Sequence, residues 1–152
     1  MRIATSPGSS QIPAPGRDAH VAWTAVVATD RAYYDHVRAA SGSEGEAIEF
    51  PAYYAERRFH LAGLQMRIGR RSVSRGLEPE IDLTGPPVDP GISRLHAVLI
   101  AAQDGGWAVL DPGSANGTLV NGTEVRVGDQ VPLRDGDRVN LGAWTAITVH
   151  RG

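Results

Sequence analysis

Residues Gly113–Gly122 read GSANGTLVNG, with Asn-Gly pairs at Asn116-Gly117 and Asn121-Gly122. An Asn-Gly step supplies two residues that tolerate positive φ, so each pair can close a tight turn between antiparallel strands. Between the pairs, Thr118–Val120 has room for one very short strand. The stretch predicts a loop, a strand and a second turn, with Asn116 held at one end of a β structure and its amide open to a ligand.

Outward from this stretch the same rhythm continues. From Phe59 onward the chain breaks into short apolar or alternating runs: FHLA, QMRIGR, EIDL, RLHAVLIA, WAVLD, TLV, EVRV, QVPL, RVNL and WTAITVH. Gly, Pro, Asn or Asp separates nearly all of them, and no helical period appears after about residue 60. Many short strands with closely spaced turns predict an antiparallel β-sandwich, an all-β fold. Upstream, Val21–Ala28 (VAWTAVVA) is β-branched and apolar enough for a buried strand. Thr29 or Asp30 then caps a short helix over Arg31–Ala40, with Tyr33, Val37 and Ala40 on one face. Polar residues Ser41–Gly45 end it. Met1–Asp18 is rich in Ser, Pro and Gly without periodicity and reads as a disordered leader or linker.

Composition bounds the function. The 152 residues suit one domain, taken as 19–152, with 41% hydrophobic and 21% charged residues. Cysteine is absent, which excludes disulfides and thiolate chemistry. No run approaches the ~18 apolar residues of a membrane span, and the N-terminus lacks a signal-peptide pattern, so no membrane partner and a cytoplasmic location are expected. A net charge of −2 gives no general attraction to nucleic acid. All fifteen basic residues are Arg, and six of them (Arg57, Arg58, Arg67, Arg70, Arg71 and Arg75) lie close together in the sequence. Within an acidic whole, that crowding reads either as a local anion trap or as a solvated strand edge.

Three stretches carry candidate chemistry. In Arg67–Arg71 (RIGRR) a strand ends at Gly69 and places Arg70 at the mouth of a loop. In Ser93–His96 (SRLH), Ser93 sits where a strand begins, with hydroxyl and amide available to a ligand oxygen, while His96 enters the strand as a neutral, hydrogen-bonded imidazole. The third is the loop with Asp111, Ser114 and Asn116. A Ser-His-Asp hydrolase lacks support, since there is no Gly-x-Ser-x-Gly elbow. The five histidines show no pair at ligand spacing, so neither a metal site nor a catalytic residue is assigned, and no cofactor is implied.

Taken together, Gly69-Arg70, Ser93-x-x-His96, Asn116-Gly117, Asn121-Gly122, the Asp135-Gly136-Asp137 turn and Leu141-Gly142 resemble the forkhead-associated (FHA) domain, of bacterial type. The resemblance is tight over about Phe59–Val149 and extends back to the first strand, because the family's first strand pairs beside its last, here Trp144–His150. It implies a β-sandwich that binds phosphothreonine peptides, with about 30–58 as a long insertion between the first two strands and a core over about 59–150. Arg70 would grip the phosphate, Ser93 would donate to it, Arg94 would add charge, and Asn116 would bond the peptide main chain. Ala115 departs from relatives that carry Thr there; Ser114 or a backbone N–H would compensate. Gly69, His96, Gly117, Asn121 and Gly122 would shape the loops without touching ligand. The implied partners are Thr-phosphorylated proteins or peptides, substrates of a Ser/Thr protein kinase, with the chain as a signalling adaptor. Two alternatives stay open: an FHA-like interaction domain without phosphate dependence, and an adaptor module of a longer secretion or cell-envelope machine.

Overall fold

The computed structural model describes residues 22–41 and 48–152. Met1–Asp18 and the beginning of the strand expected at Val21 lie outside those residues. The elements run β1 (Trp23–Thr29), α1 (Arg31–Ser41), β2 (Arg57–His60), β3 (Gln65–Gly69), β4 (Ile81–Asp82), β5 (Leu95–Ala101), β6 (Trp107–Leu110), β7 (Thr118–Val120), β8 (Thr123–Glu124), β9 (Gln130–Leu133), β10 (Arg138–Leu141) and β11 (Thr145–Arg151). Every run singled out in the sequence from Phe59 onward contains part of a strand. Among the described residues, no helix is long and apolar enough to cross a membrane.

Two sheets face one another, in the orders β2-β1-β11-β10-β7-β8 and β4-β3-β5-β6-β9. Alternation decides what lies between them. Ala25, Val27, Val139, Leu141, Ile147 and Val149 point inward from the first sheet and meet Ile68, Leu99, Trp107 and Val109 of the second in one buried cluster. As expected, the first strand pairs with the last: β1 and β11 run antiparallel from Trp23↔Arg151 to Thr29↔Thr145. Among the described residues the antiparallel rule has one exception, β3 with β4, which pair parallel at Ile68↔Ile81 and Gly69↔Asp82. The connection between them is too long for a hairpin and forms its own bridge, Ser72↔Leu77, before returning in the same direction.

Two local features differ in part from the expectation. Asn116-Gly117 lies in the expected loop but closes no turn between paired strands, because β6 and β7 belong to different sheets and the loop between them crosses the sandwich. Only Gly117 of that pair takes positive φ (+84°). Asn121 and Gly122 both do (+49° and +85°), and they join β7 to β8 as the primed turn demands. The helix is capped by Asp30, whose Oδ1 accepts the Tyr33 N–H at 3.0 Å, but its buried face is centred on Tyr34, and Ala40 is exposed. Tyr34 stacks edge-on against Phe50, with ring centroids 5.2 Å apart, and its hydroxyl donates to the Ile48 carbonyl. The segment after the helix thus supplies its own aromatic partners, which one helix read alone does not reveal. Tyr34, Ala143 and Trp144 form a second buried cluster that seats this insertion on the β10–β11 turn.

Candidate functional site

β3 ends at Gly69 in a register shift against β5, where Ile68 faces Ala97 and Gly69 faces Leu95. A Cβ on Gly69 would lie 1.9 Å from the Arg94 carbonyl oxygen, so only glycine fits this crossing. The close approach lets the next amide, that of Arg70, donate to the same oxygen at 3.0 Å. Arg70 is then aimed by its own side chain, since its Nε donates to the Ile92 carbonyl at 2.7 Å. The two terminal nitrogens of Arg70 meet no acceptor among the described residues.

The β4–β5 loop that offers Ile92 is held by Asp89, a residue the sequence reading passed over. Asp89 is 2% exposed. Its carboxylate accepts the amides of Gly91, Ala143 and Trp144 and the Thr145 hydroxyl, at 2.7–3.0 Å. This clamps the loop to the β10–β11 turn so closely that a Cβ on Gly91 would sit 2.8 Å from the Ala143 nitrogen. Asp89-Pro90-Gly91 is a turn signature that could have flagged the clamp.

Ser93 follows in that loop, and His96 fixes it. The Ser93 amide donates to His96 Nδ1 at 3.0 Å, which makes Nδ1 the acceptor. Nε2 therefore carries the proton and donates to the Gly117 carbonyl at 2.8 Å. His96 is fully buried, and burial pushes its pKa below the ordinary imidazole value. With both ring nitrogens bonded to main chain, His96 does not address the Ser93 hydroxyl as a base. Asp111 faces Ser114 and Thr118 instead of the imidazole, so no hydrolytic triad is assembled.

The β6–β7 loop is built on Asp111. Its Oδ1 accepts the amides of Gly113 and Ser114 at 2.7 and 2.6 Å, and its Oδ2 accepts the hydroxyls of Ser114 and Thr118 at 2.6 and 2.9 Å. Burial alone would raise this carboxyl, but the four hydrogen bonds outweigh it and hold it below the usual carboxylate range. Ser114 Oγ also accepts the Gly117 amide at 3.0 Å, so its hydroxyl braces the loop from within and is not turned toward a ligand. The compensation suggested for Ala115 does not come from that hydroxyl. Ala115 itself contributes its amide, which donates to Ser93 Oγ at 3.0 Å.

Arg70, Ser93 and Asn116 therefore meet at one end of the sandwich. Asn116 Nδ2 donates to the Gly91 carbonyl at 2.8 Å, closing the β6–β7 loop onto the β4–β5 loop. Arg94 is exposed beside them, with its carbonyl abutting Gly69. Asn121 lies farther along, where its Oδ1 accepts the Arg138 amide and its Nδ2 donates to Asp137. The crowded arginines separate into roles. Arg67 is paired with Glu80 at 2.9 Å, and its hydrogen bonds bring that carboxyl down to about 2. Arg57 donates to the Asp82 carbonyl. Arg58 lies 3.8 Å from Glu56, and Arg70 is tethered at the rim through the Ile92 carbonyl. Chemically, the end offers a planar two-nitrogen fork and a hydroxyl whose oxygen already accepts one bond, which leaves its proton to donate.

Comparison with known proteins gives matches along most of the described chain. A family model described as "FHA domain" matches residues 66–142, half of the chain. An FHA domain-containing protein of Arabidopsis thaliana is 35% identical over 107 residues, covering 70% of this chain and 23% of that protein. The chain spans about a quarter of the length of that relative. The solution structure of the FHA domain of an Arabidopsis thaliana hypothetical protein superposes with a TM-score of 0.56 at 27% identity, covering 85% of this chain and 84% of the other. An FHA domain solved in a structural and functional analysis of phosphothreonine-dependent FHA domain interactions superposes with a TM-score of 0.51 at 24% identity, covering 84% and 95%.

Proposed function

The chain belongs to the forkhead-associated (FHA) family, and from that premise we propose that it binds phosphothreonine-containing segments of other proteins as an adaptor in Ser/Thr kinase signalling. The observation that carries the proposal is the tethered Arg70 beside Ser93: one guanidinium nitrogen is spent on the Ile92 carbonyl, and the two terminal ones are left for an anion. A phosphate carries about −1.5 to −2 charges and three acceptor oxygens near neutral pH, which suits that fork and one hydroxyl donor. A relative in fold was solved in the context of phosphothreonine-dependent interactions, which supports the same reading.

In this reading Arg70 and Ser93 take the phosphate and Arg94 adds charge at the rim. Asn116, fixed through Nδ2, offers Oδ1 to a peptide amide. Ser114 and Ala115 belong to the site through the loop they shape. Gly69, His96, Gly117, Asn121 and Gly122 support the loops without touching ligand. Recognition needs no acid, base, nucleophile or cofactor. The deciding experiment is an oriented phosphothreonine peptide library titrated against the wild-type chain, with the unphosphorylated library alongside. Selection of phosphorylated sequences alone is expected, and equal retention of both libraries refutes the proposal.

A further inference from the structure

The turn between β10 and β11 is held from two sides. On one side the β4–β5 loop reaches it through Asp89, whose carboxylate accepts the amides of Ala143 and Trp144 and the Thr145 hydroxyl. On the other side stands the start of α1. The Asp30 amide donates to the Trp144 carbonyl at 2.9 Å, Asp30 Oδ2 accepts Asn140 Nδ2 at 3.1 Å, and the Tyr33 hydroxyl donates to the Gly142 carbonyl at 2.7 Å. The two grips meet at Gly142. Its φ is +70°, and a Cβ there would lie 2.5 Å from Asp89 Oδ2, so its Cα rests on that carboxylate while its carbonyl accepts from Tyr33. Burial, with the Asp89 and Asp30 carboxylates nearby, pushes the Tyr33 hydroxyl up to about 12, so it stays a donor throughout the neutral range.

We propose that Tyr33 is a positioning residue for the Arg70–Ser93 site, setting the β4–β5 loop through the β10–β11 turn. The inference rests on the phosphothreonine reading of that site and names a residue outside it. Every link is a direct contact. Tyr33 fixes the Gly142 carbonyl, Gly142 backs the Asp89 carboxylate, and Asp89 accepts the Gly91 amide at 2.9 Å. From there the Gly91 carbonyl receives Asn116 Nδ2 at 2.8 Å, and the Ile92 carbonyl aims Arg70 at 2.7 Å. The packing is close enough to transmit a shift of the turn, since a Cβ on Gly91 would lie 2.8 Å from the Ala143 nitrogen and 2.9 Å from Gly142. Tyr34 provides the contrast. Its hydroxyl donates to the Ile48 carbonyl, within the insertion, and not to the main chain of the turn.

The test compares Tyr33→Phe with Tyr34→Phe in the full chain. Each keeps the ring and removes one hydroxyl, but only the first takes the donor from Gly142. Calorimetric titration uses a phosphothreonine peptide drawn from the sequences the wild type selects, at a temperature where all three proteins are folded. Affinity is expected to fall about three- to tenfold in Tyr33→Phe, the range one lost hydrogen bond allows, and to stay unchanged in Tyr34→Phe. In isotopically labelled Tyr33→Phe without peptide, amide shifts should spread from Gly142–Thr145 to Gly91–Ser93 and Asn116. The affinity loss should also fail to add to that of Asp89→Asn, because both act on one loop. Wild-type affinity in Tyr33→Phe, an equal loss in Tyr34→Phe, shifts that stop at the turn, or strict additivity with Asp89→Asn would overturn the inference alone. Absence of phosphopeptide binding in the wild type is a different result, which refutes the ligand reading and the inference with it.

Discussion

Arg70 Nε lies 2.7 Å from the carbonyl oxygen of Ile92, so the guanidinium is anchored through one nitrogen while the other two meet no acceptor among the described residues. Ile92 is itself buried at 2% exposure, which makes its carbonyl a rigid post. A preset fork loses little freedom on meeting a phosphate.

Replacing Arg70 by Ala is therefore expected to remove about 2–5 kcal/mol of binding. A modular site near 1 μM has about 8 kcal/mol in all, so this amounts to near-complete loss. Arg70→Lys should not rescue it, because an ammonium offers one point charge and cannot bond Ile92 and a phosphate in the same planar geometry. Calorimetric titration with a phosphothreonine peptide checks both variants, and wild-type affinity in either one contradicts the assignment.

Ser93 is expected to act twice, as a donor to the phosphate and as the acceptor that holds the Ala115 amide. Ser93→Ala should cost about 1.5–3 kcal/mol in phosphopeptide affinity, the worth of a hydrogen bond to a charged group. Combined with Arg70→Ala, the losses should sum to less than the two single effects, since both groups grip one ligand. Strict additivity in that double-mutant cycle would separate the two residues functionally.

How much of this was legible depends on the kind of residue. Gly69-Arg70, Ser93-x-x-His96 and the second Asn-Gly could be read because turn chemistry and strand ends leave local marks. Asp89 was missed because its partners, Ala143, Trp144 and Thr145, are far along the chain, and nothing near Asp89 shows that its carboxylate will be buried among their donors. Asn116-Gly117 was legible as part of a loop, but dipeptide chemistry does not say which sheet the next strand joins. Ser114 shows the same limit at side-chain level: its hydroxyl could as well have faced a ligand, and only the fold turns it onto Asp111.

His96 makes stability depend on pH. Its folded pKa is depressed by burial, so below the ordinary imidazole value of about 6.5 the unfolded chain binds a proton that the folded chain refuses. Stability should then fall as pH drops from about 6.5 toward the lower folded pKa. The depressed carboxyls of Asp111 and Glu80 act in the same direction, but only at more acid pH. His96→Gln keeps one acceptor and one donor and does not titrate, so it should lower Tm at pH 7 yet flatten the change between pH 7 and 5. A parallel slope in wild type and variant would assign the dependence elsewhere. Phosphopeptide affinity should weaken separately below about pH 6, as the phosphate gains its second proton.

Asp89 offers the sharpest separation of scaffold from ligand contact. Its two oxygens receive three amides and one hydroxyl, all from within the protein. Asp89→Asn keeps the volume but turns an NH₂ group toward amide donors, leaving at least one buried donor without an acceptor at about 1–3 kcal/mol. For a chain of this size that corresponds to a Tm lower by roughly 2–4 °C per kcal/mol. The loop it holds carries the Ile92 carbonyl that aims Arg70 and the Gly91 carbonyl that receives Asn116. Phosphopeptide affinity should therefore fall several-fold although Asp89 touches no peptide, and the peptide should protect the variant against unfolding more weakly than it protects the wild type. Thermal unfolding with and without peptide measures both effects. An unchanged Tm would show that the clamp carries no stability, and a lowered Tm with full affinity would show that the loop holds its shape without it.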